Sequence, residues 1–235
     1  MRRYRLVPGS REKLIALFDR EFVETQEAVG MRVIGQFRDM DEPHSFVWLR
    51  EFADMPARAE ALTRFYGGPV WAAHRDAANA TMVNSDNVLL LRPSHPGAGF
   101  APAQEPRASV TAQEVPPGLV VSHICYLAPR TEVGFAEFFE VDVAPLLERA
   151  SARVAARLMT TRTSNNFPRL PVREGETAFV WFTTFPSLQA YDDHLSALAG
   201  DKAWTDHALP EMERRTWRQN EVSRLMPTTR SLLHG

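Results

Sequence analysis

The chain has 235 residues, 44% of them hydrophobic and 24% charged, with a formal net charge of −2. That is ordinary globular composition, long enough to bury about 70% of the unfolded surface, and it excludes disorder, collagen and coiled coil. A near-neutral balance supplies no basic field, so nucleic acid is not an expected partner.

Residues 3–7 read as a short strand closed by Pro8-Gly9. Ser10 is placed to cap a helix running to about Ala28, and Leu14, Phe18 and Phe22 recur along it every four residues as one buried stripe. Gly30 stops that helix. Residues 31–38 and 45–52 are β-rich runs across an Asp-Met-Asp-Glu-Pro turn, which predicts a hairpin. A second helix spans 55–66 with Asp54 as its cap, Pro69 opens a third through Ala80, and 86–92 closes with a fourth strand.

Pro93 to Gly118 holds six prolines, three glycines and few large apolar residues, a linker composition. Beyond it the order repeats. A strand is predicted over 120–127, then a helix from Thr131 through Glu148 that Pro145 kinks or restarts. Strands over 154–162 and 178–185 follow, with helices near 187–199 and 202–217 and a last strand over 221–226.

Self-comparison supports this repeat. Phe46-Val47-Trp48 aligns with Phe179-Val180-Trp181, and the same offset carries Gly67, Trp71 and His74 onto Gly200, Trp204 and His207. Nine of the 29 positions from 46 to 74 are identical in the second copy. The expected organisation is a first domain over 1–93, a linker over 94–118 and a second domain over 119–235. The second copy carries extra residues around Asn165-Asn166-Phe167-Pro168.

The element order β-α-β-β-α-α-β is ferredoxin-like with one added helix. The fold class is therefore α+β, two tandem ferredoxin-like units with antiparallel sheets. Runs such as Phe46-Val47-Trp48-Leu49 are apolar on both faces, so each bare sheet face needs a cover. The expectation is that the two sheets pack on each other and close an α+β barrel.

Several stretches resemble the NIPSNAP family: Arg3-Tyr4-Arg5-Leu6-Val7-Pro8-Gly9, Val33-Ile34-Gly35, the run from Val47 through Met55-Pro56-Ala57-Arg58, and Pro69-Val70-Trp71. The second copy matches more weakly, with Pro186-Ser187 where the first has Ala53-Asp54. The resemblance implies a dimeric α+β barrel fold, built partly or wholly within one chain, with the two repeats pairing either within a chain or between chains. It implies no defined reaction. Related barrels include cofactor-free monooxygenases, haem-degrading enzymes and lactone isomerases, which is analogy of fold.

No P-loop, nucleophile elbow, zinc-protease or Cys-x-x-Cys motif is present. Trp71 with His74, repeated as Trp204 with His207, puts an aromatic and an imidazole on one helix face. Such a pair either walls a pocket beside a general base or simply packs. Arg3 and Arg5 share one strand face and either hold an anion in the barrel, lie exposed at a strand end, or pair with Glu51. His123, Tyr126 and Arg162 could line the same cavity, and Cys125 reads as a small buried hydrophobe. The pocket candidates are Arg3, Arg5, Trp71, His74, Tyr126, Trp204 and His207. Catalytic residues remain unassigned, the scattered histidines suggest no metal site, and no cofactor is expected.

The leading reading is a NIPSNAP-like protein of undefined activity that binds a small apolar or anionic molecule in a barrel or helix–sheet cavity. The alternatives are a cofactor-independent monooxygenase-like enzyme and a non-enzymatic protein-interaction module. An enclosed cavity favours the first two, and a barrel filled solid beneath an apolar outer patch favours the third. One cysteine and no apolar stretch of 18 residues suggest a cytoplasmic protein without membrane contact, and a homo-oligomer is compatible with the composition.

Overall fold

The computed structural model describes residues 1–235. Each half places its four main strands in one order. The first half runs β4 (Met82–Val88), β1 (Arg2–Leu6), β3 (Ser45–Glu51), β2 (Arg32–Asp39). The second runs β9 (Glu221–Pro227), β6 (Leu119–Tyr126), β8 (Ala178–Phe185), β7 (Arg153–Thr160). All the pairings are antiparallel.

The halves join edge to edge. Phe37, Arg38 and Asp39 of β2 pair with Pro227, Met226 and Leu225 of β9. The outcome is a single nine-stranded sheet and not two sheets stacked face to face. Its inner face gathers Phe37, Val47 and Leu49 from the first half with Val120, Val180, Phe182 and Leu225 from the second into one buried cluster. The sheet therefore curls around a shared core.

The expected closure is corrected here: the ladder is open between β4 and a ninth strand, β5 (Leu91–Pro93), which form the two ends of the sheet. Only Leu89 and Leu90 separate these ends. The chain crosses from one edge to the other at this point, pairing first with β1 and then with β7. One strand cannot ladder fully with both neighbours while it crosses between them, so a seam remains.

Helices cover the outer face of each half. In the first, Leu14, Phe18 and Phe22 pack with Leu62 and Phe65 on Tyr4, Phe46 and Trp48. In the second, Phe135, Phe139, Leu146 and Leu147 pack on Phe179 and Trp181. The strand apolar on both faces is thus explained: Phe46 and Trp48 meet the helices, while Val47 and Leu49 enter the shared core.

The first predicted helix runs as α1 (Arg11–Leu17), a π turn at Phe18–Phe22 and α2 (Val23–Glu27). Its counterpart runs as α5 (Glu132–Phe138), a π turn at Phe139–Val143 and α6 (Ala144–Arg149). Both carry apolar residues every four positions: Leu14, Phe18, Phe22 and Phe135, Phe139, Val143. Spacing of four drifts about 40° per step on an α-helix, and one wider turn brings the stripe back into line.

Between β3 and β4 lie α3 (Met55–Tyr66) and α4 (Pro69–Asn79). The Asp54 side chain accepts the Ala57 N–H at 2.7 Å, the cap that starts α3. Ser187 does the same for Ala190 at the start of α7 (Leu188–Gly200). Ser10 and Thr131 make no such bond. After α7 the chain forms a π turn at Trp204–Ala208 and then α8 (Leu209–Arg215).

Candidate functional site

The seam in the ladder opens into a cavity of about 270 Å³. Its apolar lining comes from Leu49 of β3, Leu89 and Leu91 at the seam, Leu158 of β7 and Phe100 of the segment between β5 and β6. That segment is held in place, since Arg157 N–H donates to the Ala98 carbonyl at 2.8 Å and Phe100 lies 5.1 Å from Phe182 between ring centroids.

The lining also includes three cations close to one another: Arg2, Arg50 and Arg58. Arg2 and Arg58 are 3% and 2% exposed, and Arg50 is half-buried. Buried guanidinium groups ordinarily have carboxylate partners. These three contact neutral groups. Arg2 Nε donates to the Tyr4 hydroxyl at 3.0 Å. Arg50 Nη1 donates to Gln26 Oε1 at 2.9 Å, and its guanidinium lies 4.9 Å over the Trp48 ring. Arg58 Nη1 donates to Asn165 and Asn166 at 3.1 and 2.6 Å.

The cavity's two carboxylates are engaged elsewhere, Glu51 with Arg32 and Asp54 with the start of α3. Burial, reinforced by Arg50 and Arg2, pushes the Arg58 guanidinium down to about 10. The cluster thus stays positive at neutral pH and carries a standing electrostatic cost. A lining that combines apolar side chains with a cluster of guanidinium groups suits a molecule with an apolar body and an electron-rich head.

The pocket candidates from the sequence lie apart from this cavity, and of them Trp71 stays with His74 on α4 and Trp204 with His207 on one π turn. Arg3 faces the shared core, where its Nη2 donates to Ser223 Oγ at 2.5 Å and its Nη1 lies 3.6 Å from Asp39. Arg5 is exposed, and Glu51 pairs with Arg32 and not with either of them. Trp71 packs among Phe22, Phe65 and Tyr66 beneath α4, beside a second void of about 30 Å³. His74 on the same helix lies 3.4 Å from Glu21.

Trp204 flanks the second helical core, and His207, 64% exposed, lies 3.5 Å from Asp142. Tyr126 reaches into the shared core, where its hydroxyl donates to Glu221 at 2.5 Å and accepts from Arg173 at 2.9 Å. His123 stacks on Trp181 at 4.5 Å, Arg162 pairs with Glu132, and Cys125 is buried in the second core. No three His, Cys, Asp or Glu side chains gather into a metal-ligating group.

Sequence reasoning passed over Arg2, Arg50 and Arg58. Arg2 lies two residues before Tyr4, so it follows Tyr4 to the helix side while Arg3 turns to the core. At the corresponding places the second half has His123, Thr183 and Tyr191, so the cationic cluster belongs to the first half.

No curated protein matches the chain. Among solved structures, a proposed monooxygenase from Lactobacillus acidophilus superposes with a TM-score of 0.57 at 10% identity, over 96% of this chain and 91% of that one. A proposed monooxygenase from Fusobacterium nucleatum gives 0.56 at 10% identity, over 97% and 90%. An anthrone oxidase-like protein gives 0.53 at 12% identity, over 100% and 94%. At such identities the likeness is one of fold. No helix is long and apolar enough to cross a membrane. The family model for NIPSNAP matches residues 1–95, which span the first half from β1 through β5.

Proposed function

We propose that this protein binds a small, largely apolar molecule in the cavity at the seam. The observation that carries this reading is the cavity's position. It lies at the one break in an otherwise continuous ladder, so a ligand can reach the shared core without disturbing a strand pair. Its volume of about 270 Å³ sits near the lower end of the range for ligand pockets. A barrel filled solid, which a purely interacting module would have, does not fit this opening.

The test is calorimetric titration with 2-naphthylmethanol, a neutral apolar probe. Wild type is expected to bind it, and Leu91→Trp and Leu158→Trp, which fill the cavity from the paired strands β5 and β7, are expected to lose it. Unchanged binding in both variants would show that the probe sits elsewhere and would overturn the reading.

Cofactor-independent oxidation of a bound phenolic molecule is the second reading. It is favoured by the monooxygenase-type and anthrone oxidase-like proteins that share the fold over nearly the whole chain. Oxygen consumption with a polyphenol, and its loss in the cavity-filling Leu91→Trp and Leu158→Trp variants, would support it. A polyphenol that binds without consuming oxygen would leave binding alone.

A further inference from the structure

We propose that the cavity selects an organic oxyanion, its head held by Arg2, Arg50 and Arg58 and its apolar body against Leu49, Leu89, Leu158 and Phe100. This rests on the reading of the cavity as a ligand site and names the class of ligand.

Three guanidinium groups cluster in the lining, and no carboxylate lies within ion-pair distance of any of them. Two are almost wholly buried. Cations so placed repel one another and have lost much of their hydration, which is unfavourable unless an anion joins them. Each also keeps donors to spare. A guanidinium offers five N–H groups, and the observed partners use only some of them. The rest form planar forks of the kind that match carboxylate and phosphate oxygens.

The protein has fixed these groups before any ligand arrives. Arg50 is seated on Trp48 and Phe52, at 4.9 and 5.4 Å. Arg2 lies 5.4 Å from Tyr4 and 5.7 Å from Trp48. Arg58 is held by two asparagines from the other half of the chain. Aromatic and amide partners position a guanidinium without neutralising it, so the positive charge stays available to a ligand. Besides the engaged Glu51 and Asp54, the other polar side chains that line the cavity are Thr161 and the exposed Arg92, and the rest of the lining is largely apolar, which suits an apolar ligand body. The expected ligand is therefore an amphipathic acid.

The experiment compares three probes of one body by titration calorimetry: 2-naphthoate, 2-naphthyl phosphate and neutral 2-naphthylmethanol. At least one anion is expected to bind wild type about tenfold or more tighter than the alcohol, as charge-assisted hydrogen bonds imply. Which anion leads identifies the head group. Arg58→Gln and Arg50→Gln are expected to shrink that preference, and Arg58→Lys to restore part of it. Thermal melts check that each variant is folded, and the wild-type comparison decides even where a variant fails. Equal binding of alcohol and anions overturns the oxyanion assignment while leaving the cavity reading intact. No binding by any of the three overturns both.

Discussion

Arg58 of α3 donates to the side-chain carbonyl of Asn166 at 2.6 Å, across 108 residues of sequence. Asn166 also donates through Nδ2 to the Met55 carbonyl in the first turn of α3. The loop that distinguishes the second half thus braces the cationic cluster of the first. It also sends Phe167 and Leu170 into the first half's helical core. Asn166→Ala removes one acceptor from a buried cation. It is expected to cost about 1–3 kcal/mol of stability by urea denaturation. A change within error would show that Arg58 finds another partner at no cost.

Gly35 sits at an irregularity in the β2–β3 register, where there is no room for a side chain. A Cβ there would lie 2.4 Å from the Phe37 ring and 3.0 Å from Ser231 Oγ. Phe37 is fully buried in the shared core and cannot swing away. Gly35→Ala is therefore expected to destabilise by about 1–3 kcal/mol through overpacking. The measurement is the thermal midpoint, and an unchanged midpoint would mean that the β2 backbone yields freely.

Much of the scaffold is legible in the residues because its signals are local. Asp54 caps α3 as expected, and Phe179 to Phe185 reads as a strand buried on both faces because it is one. The spacing of Leu14, Phe18 and Phe22 reads as one continuous helix, because i, i+4, i+8 fits an ordinary helical stripe, and the π turn inside it was not legible. The seam was not legible either. The run from Asp86 to Arg92 looks like one strand, and nothing in its composition marks where it changes partners. The cationic cluster was hidden for a related reason. Arg50 and Arg58 stand in the stretch that carries the family resemblance, but a sequence does not say whether an arginine finds a carboxylate. That depends on Glu51 turning to Arg32 and on asparagines a hundred residues away.

Asp19 lies in the π turn of the first helix and accepts from Gln36 Nε2 at 3.1 Å. Burial pushes its carboxyl up to about 6, against an ordinary 3.8, despite opposing help from Arg230 and Gln36. The folded protein then holds this proton more tightly than the unfolded chain does. Asp19 contributes stability below pH about 4, and that contribution is lost as the pH rises through about 6. Asp19→Asn removes the titration and keeps the shape. Relative to wild type, the variant should gain stability steadily from pH 4 to pH 7 in urea denaturation curves. A constant difference across that range would place the Asp19 pKa at its ordinary value.

Arg50 allows a prediction that separates binding from stability. Its guanidinium has no carboxylate partner, and its aromatic neighbours return only part of the hydration that it gave up. Desolvation holds it below the usual range for arginine, with Arg2 adding repulsion. Arg50→Met keeps an unbranched chain against Trp48, Phe52 and Tyr66 and removes the charge. It leaves Gln26 Oε1 without a donor, at a cost of about 1–3 kcal/mol. Relief of an unpaired charge beside Arg2 and Arg58 is expected to match or exceed that cost. The ligand-free variant should therefore melt at or above the wild-type temperature while losing anion binding. Residues kept for packing lower stability when replaced, whereas residues kept for a ligand need not. A clear fall in melting temperature would assign Arg50 to the core, and a gain or no change would assign it to the site.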